Sequence, residues 1–252
     1  MADLSLSSSP TLSVVVPVHN EEDNVAPLVE EIVTALGVRG GYEIVYVDDG
    51  SGDGTWARLE ELARLYTEFR AVHHAERRGQ SAAVVTGVRA ARGSIIATLD
   101  GDGQNDPTDI LKLLAVFEAR EPEAPPLMVA GNRTTRRDTG MRRIASRIAN
   151  GVRSRLLGDA TPDTGCGLKV FGRDVFLAMP AFDHMHRFLP ALMIRGGGEV
   201  VSVPVGHRPR ARGSSKYGIW DRLWVGIVDL AGVMWLKRRP VAARVDRETG
   251  TS

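Results

Sequence analysis

One segment of the chain reads Ser94-Ile-Ile-Ala-Thr-Leu-Asp-Gly-Asp-Gly-Gln-Asn-Asp-Pro107, in which apolar, β-forming residues run directly into three oxygen-bearing side chains. These side chains belong to Asp100, Asp102 and Gln104. Alternate residues of an extended chain point the same way, so the three could converge at a strand end. Two carboxylates and an amide oxygen suit a hard divalent cation such as Mg2+ or Mn2+. The alternative is an acidic turn that caps the helix predicted after Pro107.

Two glycines, Gly101 and Gly103, alternate with these polar residues, and we expect them to leave room for the bulk of a ligand. The sequence lacks the G-x-G-x-x-G loop of dinucleotide-binding folds after its first strand, and it also lacks the P-loop pattern. A metal on Asp100 and Asp102 would then have to hold the phosphates of a bound nucleotide. The pattern therefore favours a nucleotide diphosphate bound through metal over NAD chemistry.

Apolar strand patterns alternate with helical patterns along most of the chain. Near-continuous apolar strands between helices indicate a parallel sheet that is covered on both faces, which is an α/β fold. Strands are predicted at 12–18, 42–47, 69–74, 95–100, 127–133, near 169–171 and at 199–207. Helices are predicted at about 24–36, 55–66, 80–92, 107–118, 141–157 and 219–236, and the range 182–195 contains an apolar helical run around 188–194.

Three of the predicted strands end in polar residues. Asn20 and Glu21 follow the first strand, Asp49 follows the second, and Asp100 and Asp102 follow the fourth. Ligands bind at the carboxyl ends of the strands in open parallel sheets. The sequence therefore predicts one site to which all three strand ends contribute.

The 252-residue chain has a formal net charge of +1 and a single cysteine, Cys166. This length suits one large α/β domain or two small ones, and the balanced charge argues against nucleic-acid binding. One cysteine excludes an intrachain disulfide and fits a reducing compartment. The N-terminus lacks a basic region followed by an apolar one, so residues 1–11 are predicted to be a flexible arm and not a signal peptide. Residues 241–252 are predicted to be a polar tail.

Positive charge is concentrated between Arg133 and Arg155, where the chain has eight arginines and one acid, Asp138. Charge of one sign on the predicted helix 141–157 favours contact with phosphate or an anionic membrane. The alternative is an ordinary solvated helix face.

The last predicted helix, 219–236, has a wide apolar face that includes three tryptophans, and a narrower face that includes Asp229. It is short for a bilayer span, which needs about 20 apolar residues. A helix that lies in the membrane interface is one interpretation, with 219–240 as its segment. The other is a helix packed on the sheet or on a second subunit.

Seven motifs follow one another along the chain: Val16–Glu22, Val47–Ser51, Asp100–Gln104, Gly131–Arg133, Arg142–Ser146, Asp163–Lys169 and Arg210–Tyr217. In this order they make the chain resemble a family-two glycosyltransferase of the GT-A fold, and more closely the polyprenyl-phosphate sugar transferases. The resemblance implies that residues 12–218 form a GT-A catalytic domain. Many members carry transmembrane helices after this domain, whereas this chain continues as a polar tail, so membrane contact is expected to be peripheral or through a partner.

The resemblance also implies roles for individual positions. Arg210 and Lys216 would lie in a loop that closes over the diphosphate, and Asp49 would face the base. The implied nucleotide-binding residues are Pro17, His19, Asn20, Glu21, Asp49, Asp100, Gly101, Asp102 and Lys216. The implied metal ligands for Mg2+ or Mn2+ are Asp100, Asp102 and Gln104, the acceptor-phosphate residues are Arg133, Arg142 and Ser146, and the catalytic residues are Asp102, Arg133 and Arg210.

The function implied is a metal-dependent inverting transferase that moves a hexose from GDP-mannose or a UDP-sugar to a polyprenyl phosphate. It would act peripherally on the cytoplasmic face of the membrane, with a homo-oligomer or a membrane-protein partner possible. One alternative keeps the donor site but uses a hydroxyl acceptor, which requires a base. Asp163 is the nearest candidate, although a turn-forming role fits it equally. Another alternative is a catalytically silent membrane adaptor.

Overall fold

A computed structural model describes residues 10–121, 123–133, 155–159, 161–209 and 219–239, with only the backbone described for 219–225. Several predictions fall outside these residues. They concern the arm at 1–9, most of the basic helix, the loop after 209 and the tail. The site residues affected are Arg142, Ser146, Arg210 and Lys216.

The described residues form one seven-stranded sheet in the order β3-β2-β1-β4-β6-β5-β7. Its strands are β1 (Leu12–Val18), β2 (Tyr42–Asp48), β3 (Phe69–His73), β4 (Ile95–Thr98), β5 (Leu127–Arg133), β6 (Lys169–Gly172) and β7 (Glu199–Val205). The helices that the structure describes over their full length are α1 (Glu22–Leu36), α2 (Thr55–Leu65), α3 (Gln80–Ala90), α4 (Asp109–Glu118), α5 (Arg173–Leu177), α6 (Leu189–Arg195) and α7 (Ile219–Lys237). A 3-10 turn spans Met185–Arg187.

Helices cover both faces of the sheet, as its apolar strands predict. Val14 and Val16 of β1 pack in one core with α1, α2 and α4. Val15, between them, packs in a second core with α3, α5 and α6 on the opposite face. Side chains alternate across a strand, so a strand buried on both sides is expected to be mainly apolar.

The sheet is mostly parallel, and the exception, β6, shapes the site. β6 runs antiparallel to both β4 and β5 and lies between them. Its first residue, Lys169, is in register with Thr98 at the end of β4. The loop that precedes β6 is therefore carried to the carboxyl edge of the parallel strands.

The predicted elements are largely confirmed, and two details differ. β4 ends at Thr98, so Asp100 and Asp102 lie in a turn after the strand and not on its alternating face. The short helix α5 was not predicted. The predicted apolar helical run near 188–194 is confirmed as α6, in which Pro190 occupies the first turn, where its missing N–H costs nothing.

Helix α7 packs through one side against the elements that flank the sheet. Val233 is 2% exposed, and Arg195 Nε donates to the Leu236 carbonyl oxygen at 3.0 Å. Asp229, expected on the face opposite the apolar one, instead lies 3.1 Å from His184 Nδ1. The outward side is apolar: Ile227, Val228 and Trp235 are 50%, 57% and 62% exposed.

No helix among the described residues is long and apolar enough to cross a bilayer.

Candidate active site

The loops after β1 and β2 join to form one wall of the site. His19 Nδ1 lies 2.9 Å from the Asp49 carbonyl oxygen, and the Asn20 backbone N–H donates to Ser51 Oγ at 2.8 Å. Asn20 adopts a left-handed backbone with φ of 55°, which asparagine tolerates better than most residues. The predicted donor residues of these two loops therefore lie side by side.

The Asp49 carboxylate organises the loop that leads into α3. It accepts hydrogen bonds from the backbone N–H groups of Arg78 and Gly79 at 2.8 and 2.7 Å, and it lies 2.9 Å from His74 Nδ1. Burial raises the pKa of Asp49, but these hydrogen bonds outweigh burial and hold the pKa below its usual value. Its contact with a base stays a prediction, whereas its contact with the 78–79 loop is observed.

Asp100 lies partly buried at the centre of the site. Gln80, the first residue of α3, donates from Nε2 to Asp100 Oδ1 at 3.0 Å. Burial raises the pKa of Asp100, and the negative charge of Asp102 raises it further. Two carboxylates whose charges disfavour each other are suited to bind a cation, because the cation removes that repulsion.

Two glycines allow the chain to pack tightly around Asp100. A Cβ on Gly167 would lie 2.2 Å from the Asp100 Cγ, so only glycine fits beneath this carboxylate. A Cβ on Gly101 would lie 2.4 Å from Val18 Cγ1. The expectation that Gly101 leaves space for a ligand is therefore replaced by a packing role against β1. Gly103 instead has φ of 71°, a left-handed backbone that favours glycine.

Gln104 is engaged with the chain after β7. Its carbonyl oxygen accepts from the Arg208 N–H at 2.9 Å, and its Nε2 lies 3.5 Å from the Arg208 carbonyl oxygen. Arg208 also bonds Glu31 at 2.6 Å and Asp106 at 2.7 Å. These contacts fix the position of Arg208, which precedes the residues Arg210 and Lys216 of the predicted closing loop.

The donor set fits a divalent cation bound by two carboxylates. Among the described residues, no group of three or more His, Cys, Asp or Glu side chains could form a complete protein cage. Mg2+ typically binds through one or two carboxylates together with substrate phosphates and water, so such a cage is not required. Asp100 and Asp102 match that arrangement, and Gln104 remains a predicted third ligand.

Arg133, at the end of β5, forms a two-pronged ion pair with Asp163. Its Nε and Nη2 donate to the carboxylate oxygens at 2.6 and 2.9 Å, and the two side chains are only 13% and 15% exposed. Burial raises the pKa of Asp163, but the hydrogen bonds from Arg133 outweigh it and lower the pKa. Such a carboxylate is a poor proton acceptor, which disfavours Asp163 as a general base.

Sequence reasoning gave no role to Lys169, which lies buried in the same cluster. It is 3% exposed, and its Nζ donates to the Cys166 carbonyl oxygen. Burial lowers its pKa, while the charges of Asp100 and Asp163 act in the opposite direction. Its place in the Asp163–Lys169 motif was the available signal. The other unpredicted members of the site are Gln80, Gly167 and His186.

The family model described as "Glycosyl transferase family 2" matches residues 13–178. The chain is 37% identical over 232 residues to dodecaprenyl-phosphate galacturonate synthase of Rhizobium johnstonii, covering 90% of this chain and 67% of the relative. It is 36% identical over 208 residues to undecaprenyl-phosphate 4-deoxy-4-formamido-L-arabinose transferase of Pseudomonas fluorescens, covering 82% and 60%. The chain thus spans about two thirds of the length of the curated relatives it matches.

Solved structures of more distant enzymes share the fold. A mannosyltransferase of Pyrobaculum calidifontis, in complex with GDP-Man and Mn2+, has a TM-score of 0.62 at 22% identity, covering 92% of this chain and 65% of that one. Glucosyl-3-phosphoglycerate synthase of Mycobacterium tuberculosis, with Mg2+ and UDP, has a TM-score of 0.65 at 19% identity, covering 90% and 79%. The expected GT-A fold is confirmed, and the chain belongs to glycosyl transferase family 2.

Proposed function

We propose that this chain transfers a sugar from a nucleotide diphosphate to a polyprenyl phosphate, with inversion at the anomeric carbon. The observation that carries the proposal is the juxtaposition, at the carboxyl edge of the sheet, of the acidic pair Asp100 and Asp102 with Arg133. The names of both relatives above include a polyprenyl phosphate, which supports this class of acceptor.

The acidic pair would hold the donor diphosphate through Mg2+ or Mn2+. A divalent cation bound there supplies positive charge that offsets the negative charge on the leaving diphosphate. Asp100 is fixed by Gln80 and by its seat on Gly167, so its carboxylate is oriented before the donor arrives. Positioning of this kind lowers the cost of reaching the transition state.

An acceptor phosphate needs no base in this reaction. Its oxygen is already ionised at neutral pH, so it bonds to the anomeric carbon while the bond to the diphosphate breaks and that bond's electrons leave with the nucleotide. Arg133 would bring the anionic acceptor beside the anionic donor, together with Arg142, Ser146 and Arg210. Asp163 holds the Arg133 guanidinium in a fixed plane, a role that does not require it to accept a proton.

Helix α7 would place the site beside the lipid acceptor. Its outward apolar residues, Ile227, Val228 and Trp235, resemble the apolar side of helices that lie in the headgroup region. Its inner side is packed through Val233, so only the outward side is available to a membrane or to a second subunit. We propose peripheral contact with the cytoplasmic face of the membrane; a second subunit on the same apolar side is the competing partner.

A transfer assay with radiolabelled nucleotide sugar and polyprenyl phosphate tests the proposal. Wild-type protein with Mn2+ should move label into a butanol-extractable product, and Asp102→Asn should abolish that transfer. Asp174→Asn serves as the matched control, because its side chain is 97% exposed and lies outside the site. Label found only in a water-soluble product would favour a hydroxyl acceptor instead.

The adaptor alternative is tested by calorimetry. If the chain is a catalytically silent adaptor, the folded protein should bind no nucleotide sugar in the presence of Mg2+ or Mn2+.

A further inference from the structure

A cavity of about 240 Å3 lies beside Asp100, between the end of β4 and the turn at Met185–Arg187. Pockets that enclose whole drug-sized ligands are larger, roughly 300–1,000 Å3. This cavity therefore suits one ring of a larger ligand. Its polar wall is contributed by Gln80, Asp100, Thr164, Lys169, His186 and Arg187.

His186 is held rigidly in that wall by Ser81 of α3. The Ser81 hydroxyl oxygen accepts the backbone N–H of His186 at 3.2 Å and lies 2.8 Å from the ring Nδ1. Since that oxygen already accepts one hydrogen bond, its own proton can be donated to Nδ1. In the tautomer in which Nδ1 accepts this proton, the ring proton resides on Nε2, where it can be donated to a bound ligand.

The ring is also uncharged. Burial lowers the pKa of His186 to about 3, and the positive charges of Arg187 and Lys169 act in the same direction. The imidazole therefore stays neutral at physiological pH. A neutral N–H donor matches a hydroxyl or ring oxygen, whereas a phosphate is bound more strongly by a charged donor.

We propose that this cavity binds the sugar ring of the donor and that His186 donates a hydrogen bond from Nε2 to an oxygen of that ring. The assignment rests on the proposed function. If Asp100 binds the donor diphosphate through a metal ion, the sugar bonded to that diphosphate is the group that lies next to Asp100. Gln80 closes the cavity on the side of Asp100. His186 thus acts in specificity for the sugar and takes no part in holding the nucleotide.

Isothermal titration calorimetry with Mn2+ separates the two parts of the donor. Wild-type protein is first titrated with GDP-mannose, UDP-glucose, GDP and UDP to select the matching pair of nucleotide sugar and nucleotide. His186→Leu should then weaken binding of the nucleotide sugar about five- to tenfold, the loss expected for one hydrogen bond, and leave binding of the nucleotide unchanged. His186→Gln places an amide N–H near the Nε2 position and should recover part of that loss.

Ser81→Ala is the second variant, since it releases the ring without removing it. It should weaken nucleotide-sugar binding by a smaller factor than His186→Leu and again spare the nucleotide. Equal loss of both ligands in the two variants, or loss of neither, would overturn the assignment of the sugar to this cavity. Failure of wild-type protein to bind any nucleotide or nucleotide sugar would instead overturn the proposed function itself.

Discussion

Replacing Asp163 with asparagine should destabilise the protein by about 2–4 kcal/mol. Removing one partner of a buried ion pair costs about 3–5 kcal/mol, because the remaining charge is left uncompensated. Asparagine keeps one oxygen for one of the two side-chain hydrogen bonds from Arg133, and a net hydrogen bond contributes about 1 kcal/mol. The two side chains are only 13% and 15% exposed, so solvent screens the pair weakly.

Urea unfolding of wild type and Asp163→Asn measures this difference as a shift in midpoint at constant slope. The matched control is Glu199→Gln, which removes a carboxylate 2.8 Å from Arg120 where the acidic side chain is 55% exposed. Surface pairs contribute about 0–1 kcal/mol, so this control should change little. A loss below about 1 kcal/mol for Asp163→Asn, equal to that of the control, would refute the buried-pair reasoning.

The same pair makes a prediction about pH. The folded-state pKa of Asp163 is lowered below its unfolded value of about 3.9, so the pair contributes its full stability above that pH. This contribution is lost as pH falls through the folded-state pKa. The stability difference between wild type and Asp163→Asn should therefore be constant near neutrality and shrink below about pH 4.

Two further substitutions test the site and the outward face of α7. Gly167→Ala should displace the Asp100 carboxylate, destabilise the protein by about 1–3 kcal/mol through overpacking and weaken Mn2+-dependent nucleotide binding. The control is Gly232→Ala, where no atom lies within 4 Å of an added Cβ. It should leave the stability measured by urea unfolding unchanged or raise it. Trp235→Ser should weaken binding to anionic vesicles in a flotation assay at least about fivefold without changing stability, and Leu65→Ser, which removes another exposed apolar side chain, should not. Unchanged vesicle binding with a shift from dimer to monomer would assign this face to a second subunit.

Local sequence patterns were sufficient to predict strands β1 to β4 and the edge of the sheet where the site lies. β1 and β2 are mainly apolar, as expected for strands that are covered on both faces. Polar residues directly after such runs, among them Asn20, Asp49 and Asp100, fall at the carboxyl edge whatever the order of the strands.

The remaining features depend on contacts between distant residues, which leave no local periodicity. His186 and Ser81 are 105 positions apart in the sequence, and neither residue alone indicates the other. β6 has only four residues, too few to show a strand period or a direction. Gly101 was expected to leave room for a ligand because its neighbours are polar. The side chain that requires a glycine at this position is Val18, which belongs to another strand, so the sequence around Gly101 does not reveal it.

The position of β6 between β4 and β5 also constrains the order in which the chain can fold. β5 is synthesised before β6, yet its described sheet partners are β6 and β7, which both follow it in the chain. On the ribosome, β1 to β4 can associate as soon as they emerge, while β5 must wait for residues 169–172. Such delayed pairing leaves strand edges exposed during synthesis, which is a known route to aggregation. In ribosome-bound chains stopped before residue 169, we expect the β5 amides to lack the hydrogen-exchange protection that the β1 and β2 amides already have.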